Sequence, residues 1–229
     1  LDPEGASPAE GRYALTVPLF GKGSAYLPQV VHALQQAGRS GIGARREAFE
    51  LQAIEREAGP GTNQWQTVTG PDAPVVPGGP DFADVPPPPA KVRIRLVTPL
   101  RVQRNGNLVA AEELGMGDLL APLIRRLSLL SYFHGPEPLE GDFASLTEQS
   151  RNRPLLESNL RWEEGARHSG RQGKRVPTGG LLGELVTEIP DNDPLWPFLW
   201  LGQWTHAGKG TVMGLGKYRL EDYEQGCPV

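Results

Sequence analysis

The chain has 229 residues and a mass of 24.8 kDa, room for one large domain or two small ones. No apolar run approaches membrane-span length, the polar start LDPEGASPAE is no signal peptide, and a single cysteine, Cys227, excludes an intrachain disulfide or a cysteine-based zinc cluster, in keeping with a reducing cytoplasm. The net charge of −4 hides an asymmetry: residues 1–90 carry 6 Lys/Arg against 10 Asp/Glu, residues 91–220 carry 17 against 14, and the last nine carry none against 3.

In chain order, residues 13–20 read as a strand and 25–36 as an amphipathic helix with Leu27, Val30, Val31 and Leu34 on one face. Gly38, Gly41 and Gly43 end that helix, and strand-like alternation resumes over 48–56, giving β-α-β. From 59 to 90 the composition shifts to proline, glycine and short polar residues, closing on four consecutive prolines, which marks a boundary or long loop.

Beyond it, Lys91, Arg93 and Arg95 alternate with Val92, Ile94 and Leu96, the period of a half-buried antiparallel strand. Asp118 is placed to N-cap a helix to about Phe133, with Leu120, Leu123, Ile124, Leu127 and Leu130 inward. Strands at 160–162 and 181–189 flank a basic loop, and a helix at 195–204 leads through a glycine-rich loop to a strand at 217–220. The second half thus reads β-α-β-β-α-β, and the first supplies only the closing β-α-β of such a unit. The expected class is α+β: tandem ferredoxin-like (RRM-like) βαββαβ units, the first incomplete. Residues 1–90 form a partial N-terminal domain plus a Pro/Gly-rich linker, and 91–229 a complete C-terminal one.

The loop HAGKGTVMGLGKYRL, 206–220, carries the strongest functional signal. Gly208, Gly210, Gly214 and Gly216 bracket Lys209, so several backbone N–H groups and one ammonium can approach a polyanion. It is not a nucleotide P-loop, because Gly210 follows Lys209 where Ser or Thr belongs; nor is it a dinucleotide fingerprint, because it follows a helix and has Met213 at the third glycine. The plain alternative is a helix cap running into a strand.

The phrases PLFGKGSAYLPQVVHALQQAGRSGIG, VRIRLVTPLRV, RRLSLLSYFHG, RHSGRQGKRVPTGGLLGEL and LGQWTHAGKGTVMGLGKYRL, in this order, resemble the CRISPR-associated endoribonucleases of the RAMP superfamily that process precursor CRISPR RNA. The resemblance implies two ferredoxin-like domains holding CRISPR repeat RNA or crRNA. It further implies metal-independent attack of a 2′-hydroxyl on the adjacent phosphate, leaving 2′,3′-cyclic phosphate and 5′-hydroxyl ends. It makes Gly208, Lys209, Gly210, Gly214 and Gly216 part of an RNA-contacting loop. Family members usually carry the general-base histidine in the first domain, often before the point where this chain begins. The alternative from another class is a non-catalytic RNA-binding subunit of a CRISPR effector or adaptor complex, partnered by other CRISPR-associated proteins.

Such chemistry needs a base, an acid and cations for the phosphorane. His168 lies in the densest basic run, with Arg167, Arg171, Lys174 and Arg175, an RNA-contacting hairpin or a solvated loop; His206 adjoins the glycine loop at a helix C-terminus, as catalyst or cap. The base is one of these two or lies outside the chain. His32 and His134 read as structural. Arg125 and Arg126 either snorkel or bind phosphate. Lys91, Arg93 and Arg95 read as an open sheet face paired with Glu184 and Glu188, and Trp196, Trp200 and Trp204 as a core stripe. The carboxylates show no metal-ligand spacing, so neither metal nor cofactor is expected.

Overall fold

The computed structural model describes residues 11, 13–43, 45–59, 62, 64–69, 84–169 and 173–229, with the backbone alone at 69, 167–169, 174 and 175. The chain divides into two compact units. One comprises Leu1–Pro18, Val85–Leu129 and Leu139–Val229; the other comprises Leu19–Asp84 and Leu130–Pro138.

In the smaller unit a 3-10 turn, Gly21–Tyr26, leads into helix α1, Leu27–Ser40, whose Val31 and Gly38 are buried. Strands β1, Ile54–Glu57, and β2, Trp65–Thr69, then pair antiparallel. Two expectations need correction. Residues 13–20 form no strand among the described residues. Among the described residues the β-structure after the helix is a short antiparallel pair whose second strand lies inside the segment read as linker, so the described part of this block is α-β-β rather than β-α-β. Alternation of side chains makes a strand only where a neighbour completes the ladder.

The larger unit carries the expected fold in full. Strand β3, Lys91–Leu100, is followed by a two-residue hairpin, β4, Gln103–Arg104, and β5, Asn107–Leu108. Asn105 and Gly106, both at positive φ, make its turn. Helix α2 spans Met116–His134 and α3 Phe143–Asn152. Strand β6, Glu157–Glu163, precedes the hairpin β7, Ala166–Ser169, and β8, Lys174–Pro177. Strand β9, Gly180–Glu188, helix α4, Trp196–Thr205, and strand β10, Tyr218–Asp222, complete the unit.

The four-stranded sheet has the order β10-β3-β9-β6 with every pair antiparallel. Counting only its own strands this is 4-1-3-2, because α2 and α4 each carry the chain across one intervening strand: the ferredoxin-like topology. Val92, Ile94, Leu96, Leu181, Leu185, Tyr218 and Leu220 of the sheet are buried, as are Leu119, Leu120, Leu123 and Ile124 of α2 and Leu199 of α4. Each such aliphatic side chain contributes roughly 1.5–3 kcal/mol when fully buried. Trp196 and Trp200 are buried too, whereas Trp204, the third member of the expected core stripe, is half-buried with its ring 4.8 Å from that of Trp200; the Trp196 indole donates to the Pro86 carbonyl at 2.7 Å.

Two contacts fix how the helices sit. The Tyr218 hydroxyl, fully buried, donates to the Leu199 carbonyl, and burial holds its pKa well above the usual phenol range. That approach needs Gly202, where a Cβ would collide with the Tyr218 hydroxyl and both Leu123 methyls. Asp118 is not the N-cap of α2. It is the third helical residue, and its carboxylate reaches back to accept the Gly115 N–H at 3.0 Å, the acidic half of a capping box.

Candidate nucleic-acid interface

The glycine-rich segment begins where α4 stops. His206 takes φ 59° and its N–H donates to the Gly202 carbonyl at 2.8 Å, which makes it the helix cap. Beyond it the loop folds back on itself. Ala207 N–H donates to Gly216 O at 2.8 Å and Gly216 N–H to Pro99 O at 3.0 Å. Met213 and Gly214 N–H donate to Gly210 and Thr211 carbonyls at 2.8 and 2.9 Å, around the 3-10 turn Thr211–Met213. The Lys217 N–H reaches Thr98 Oγ1 at 2.9 Å.

The expectation that the amides of Lys209, Gly214 and Gly216 stand bare is therefore corrected: each is bonded within the protein. Among the described residues, no acceptor pairs with the N–H groups of Gly208, Gly210, Thr211 and Val212, and Val212 is 98% exposed. A short loop must satisfy most of its own backbone before any remains for a ligand.

What the glycines do build is a mount for Lys209. The peptide joining Gly208 to Lys209 is held at both polar ends: its N–H donates to the Arg101 carbonyl at 2.7 Å, and its carbonyl accepts Nη2 of Arg126 at 2.7 Å. Nη1 of the same arginine reaches Thr211 Oγ1 at 2.5 Å. Gly208 is required twice, by its φ of 71° and by a Cβ that would strike the Arg101 carbonyl. The Lys209 ammonium donates to Gln103 Oε1 on the β4–β5 hairpin.

Arg101 also fastens the basic hairpin to this end of the sheet. Its guanidinium donates to the Gly179 carbonyl, just past β8, and Gly179 and Thr178 N–H donate to Gly165 O at the other foot. In the β7–β8 ladder His168 faces Arg175, Arg167 faces Val176 and Ser169 faces Lys174. The side chains of Arg167, His168, Lys174 and Arg175, and the whole of Arg171, lie outside the described residues. The two stretches singled out in the sequence are thus joined at their bases through one residue at the end of β3.

The partners decide the electrostatics. Arg101, Arg126 and Lys209 all bond to neutral oxygens, and none pairs with a carboxylate among the described residues. Burial lowers the Arg126 guanidinium pKa, from a value high enough that it stays charged. Arg104, one residue past Gln103, is instead matched by Asp118 at 2.5 Å. On the open face of the sheet Arg93 and Arg95 are compensated: Arg95 meets Glu184 at 3.0 Å and Glu221 at 3.2 Å, and Arg93 meets Glu184 at 3.5 Å. Of the expected sheet-face pairing, the part through Glu184 is present with Glu221 added, whereas Lys91 stands opposite Glu188 in the ladder with no ion pair between them.

The remaining histidines stand apart from this arrangement in sequence and in role. His32 is exposed on α1, not packed, and His134 ends α2. The sequence alone does not decide the role of Arg126, and neither Arg101 nor Gln103 stands out in it. The Asn105-Gly106 dipeptide was the available signal for the hairpin that presents Gln103.

A family model described as CRISPR-associated endoribonuclease Cas6 matches residues 94–218, and a model of an N-terminal domain matches residues 2–78. Among solved structures, a Thermus thermophilus Cas6 in a product complex is 17% identical, covers 90% of this chain and 72% of its own, and superposes with a TM-score of 0.52. Another Cas6 product complex is 22% identical over 59% of this chain, with a TM-score of 0.42; this chain spans 52% of its length. No curated protein matches the sequence.

Proposed function

The chain belongs to the CRISPR-associated endoribonuclease Cas6 family, and from that premise we propose that it recognises CRISPR repeat RNA and cleaves it as a precursor-processing endoribonuclease. Residues 91–229 act as the RNA-holding ferredoxin-like domain, and residues 1–90 supply a partial first domain. The observation that supports this reading best is the set of three cations, Arg101, Arg126 and Lys209, bonded to neutral oxygens at one end of the sheet. A cation satisfied by a neutral dipole keeps its net charge, so this end attracts a phosphate backbone.

Lys209 and the amides of Gly208 and Gly210 grip phosphates from the glycine loop. Gly214 and Gly216 shape that loop, and Arg167, Arg171, Lys174 and Arg175 supply the second grip. In the cleavage step a base, His168, His206 or a group outside this chain, removes the 2′-hydroxyl proton. The 2′-oxygen bonds to phosphorus, the bond from phosphorus to the 5′-oxygen breaks, and an acid protonates that leaving oxygen. The products are a 2′,3′-cyclic phosphate and a 5′-hydroxyl, with no metal in the step. Cations stabilise the added charge on the phosphorane.

The test is incubation of end-labelled repeat RNA with the protein in EDTA, with product ends mapped by phosphatase and kinase treatment. A single cut bearing a cyclic phosphate is expected. Binding without a cut would move the assignment to a non-catalytic RNA-holding subunit. Failure to bind at low salt would remove the RNA assignment.

A further inference from the structure

Arg125 and Arg126 are neighbours on α2 with different fates: Arg125 is exposed, whereas Arg126 is half-buried and turned into the glycine loop. Its two terminal nitrogens reach Gly208 O and Thr211 Oγ1, one acceptor on each side of the Lys209–Gly210 pair. Its Nε is buried with no partner among the described residues, a cost that two bonds from a charged donor offset.

We propose that Arg126 is the positioning residue for Lys209: its guanidinium fork spans Gly208 and Thr211, fixes the backbone on both sides, and so sets the direction of the ammonium. The proposal rests on the RNA-binding reading above and deepens it, by making one cation act through another rather than on phosphate itself. A rigid fork suits the task, because two acceptors of different chemistry must be held at once. A lysine offers only a point charge. With the Arg101 carbonyl on the Lys209 N–H, the mount has three fixed points, and Gln103 then holds the ammonium. Pre-organised placement of this kind saves ordering entropy on binding.

The experiment measures affinity of the full chain for a labelled oligouridylate by fluorescence anisotropy across a salt series. The variants are Arg126→Met, Arg126→Lys, Thr211→Val, Lys209→Ala and the double Arg126→Met/Lys209→Ala. Arg126→Met is expected to weaken binding about tenfold, as much as Lys209→Ala, and the double variant no more than either alone. Each of the three loses one phosphate's worth of salt dependence, and Arg126→Lys fails to rescue. Thr211→Val removes one anchor while keeping every charge, and is expected to lose part of the same affinity, again not additive with Lys209→Ala.

Additive losses with a salt slope reduced by two contacts would make Arg126 a direct phosphate ligand and overturn the proposal. So would unchanged affinity in folded Arg126→Met or, should that variant not fold, in Thr211→Val. A wild-type chain that does not bind oligouridylate at low salt would instead strike the RNA reading itself.

Discussion

The open face of the sheet and the glycine-loop end of the same unit both present arginines and lysines, yet they differ in what those cations bond. On the sheet face Arg93 and Arg95 share Glu184, and Arg95 also takes Glu221, so charge meets charge on adjacent strands. At the loop end Arg101, Arg126 and Lys209 bond to two main-chain carbonyls, a threonine hydroxyl and a glutamine amide. The cations hydrogen-bond in both places, Arg126 Nε excepted, but only in the second are their acceptors neutral, so that their charge is left uncancelled by a bonded carboxylate. Counting basic residues cannot separate the two regions. Identifying their acceptors does.

That contrast can be broken by experiment. The largest expected effect is Lys209→Glu, which reverses charge at the centre of the uncompensated cluster and should weaken repeat-RNA binding about a hundredfold in filter or anisotropy assays. Loss confined to one repeat sequence would deny the residue its backbone role. Next is Gly208→Ala, which forces a Cβ against the Arg101 carbonyl at positive φ and should reduce RNA affinity about tenfold while lowering Tm by a few degrees, read by thermal melts.

Glu184→Gln runs the comparison in reverse. It strips the shared carboxylate from Arg93 and Arg95, so RNA affinity at low salt should rise about threefold, and the gain should vanish as salt is added. No gain would mean that position, rather than charge balance, separates the regions. The smallest effect is Arg95→Ala: RNA binding should stay within about twofold and stability within about 1 kcal/mol by urea titration, because half-exposed pairs contribute little.

The ferredoxin-like unit was legible because its elements carry strong local patterns. The alternation of Lys91 to Leu96 gave β3, the apolar faces gave α2 and α4, and observed boundaries differ from expectation by a few residues. Helix α3 escaped notice because FASLTEQSRN has little apolar face; its signal was Asp142, whose side chain accepts the Ser145 N–H at 3.0 Å. Residues 13–20 misled for the opposite reason, showing strand-like composition without a partner strand among the described residues.

At the candidate site the glycine loop was found but its use of the main chain was not. Periodicity says where glycines fall. It cannot say that the Pro99 and Arg101 carbonyls, about a hundred positions earlier, already occupy the Gly216 and Lys209 amides. The same distance in sequence hid Arg101 and Gln103, which matter through contacts made only after the sheet closes.

Gly202 has a consequence for anyone diversifying this protein. With the Tyr218 phenol on one side and Leu123 on the other, the site leaves no space for even a methyl group. A library randomised at codon 202 and sorted for well-folded products should return glycine almost alone, unless codon 218 is shortened alongside it. Phenylalanine at 218 would vacate the oxygen's volume and release the Leu199 carbonyl. The two codons therefore need to be mutagenised as a pair.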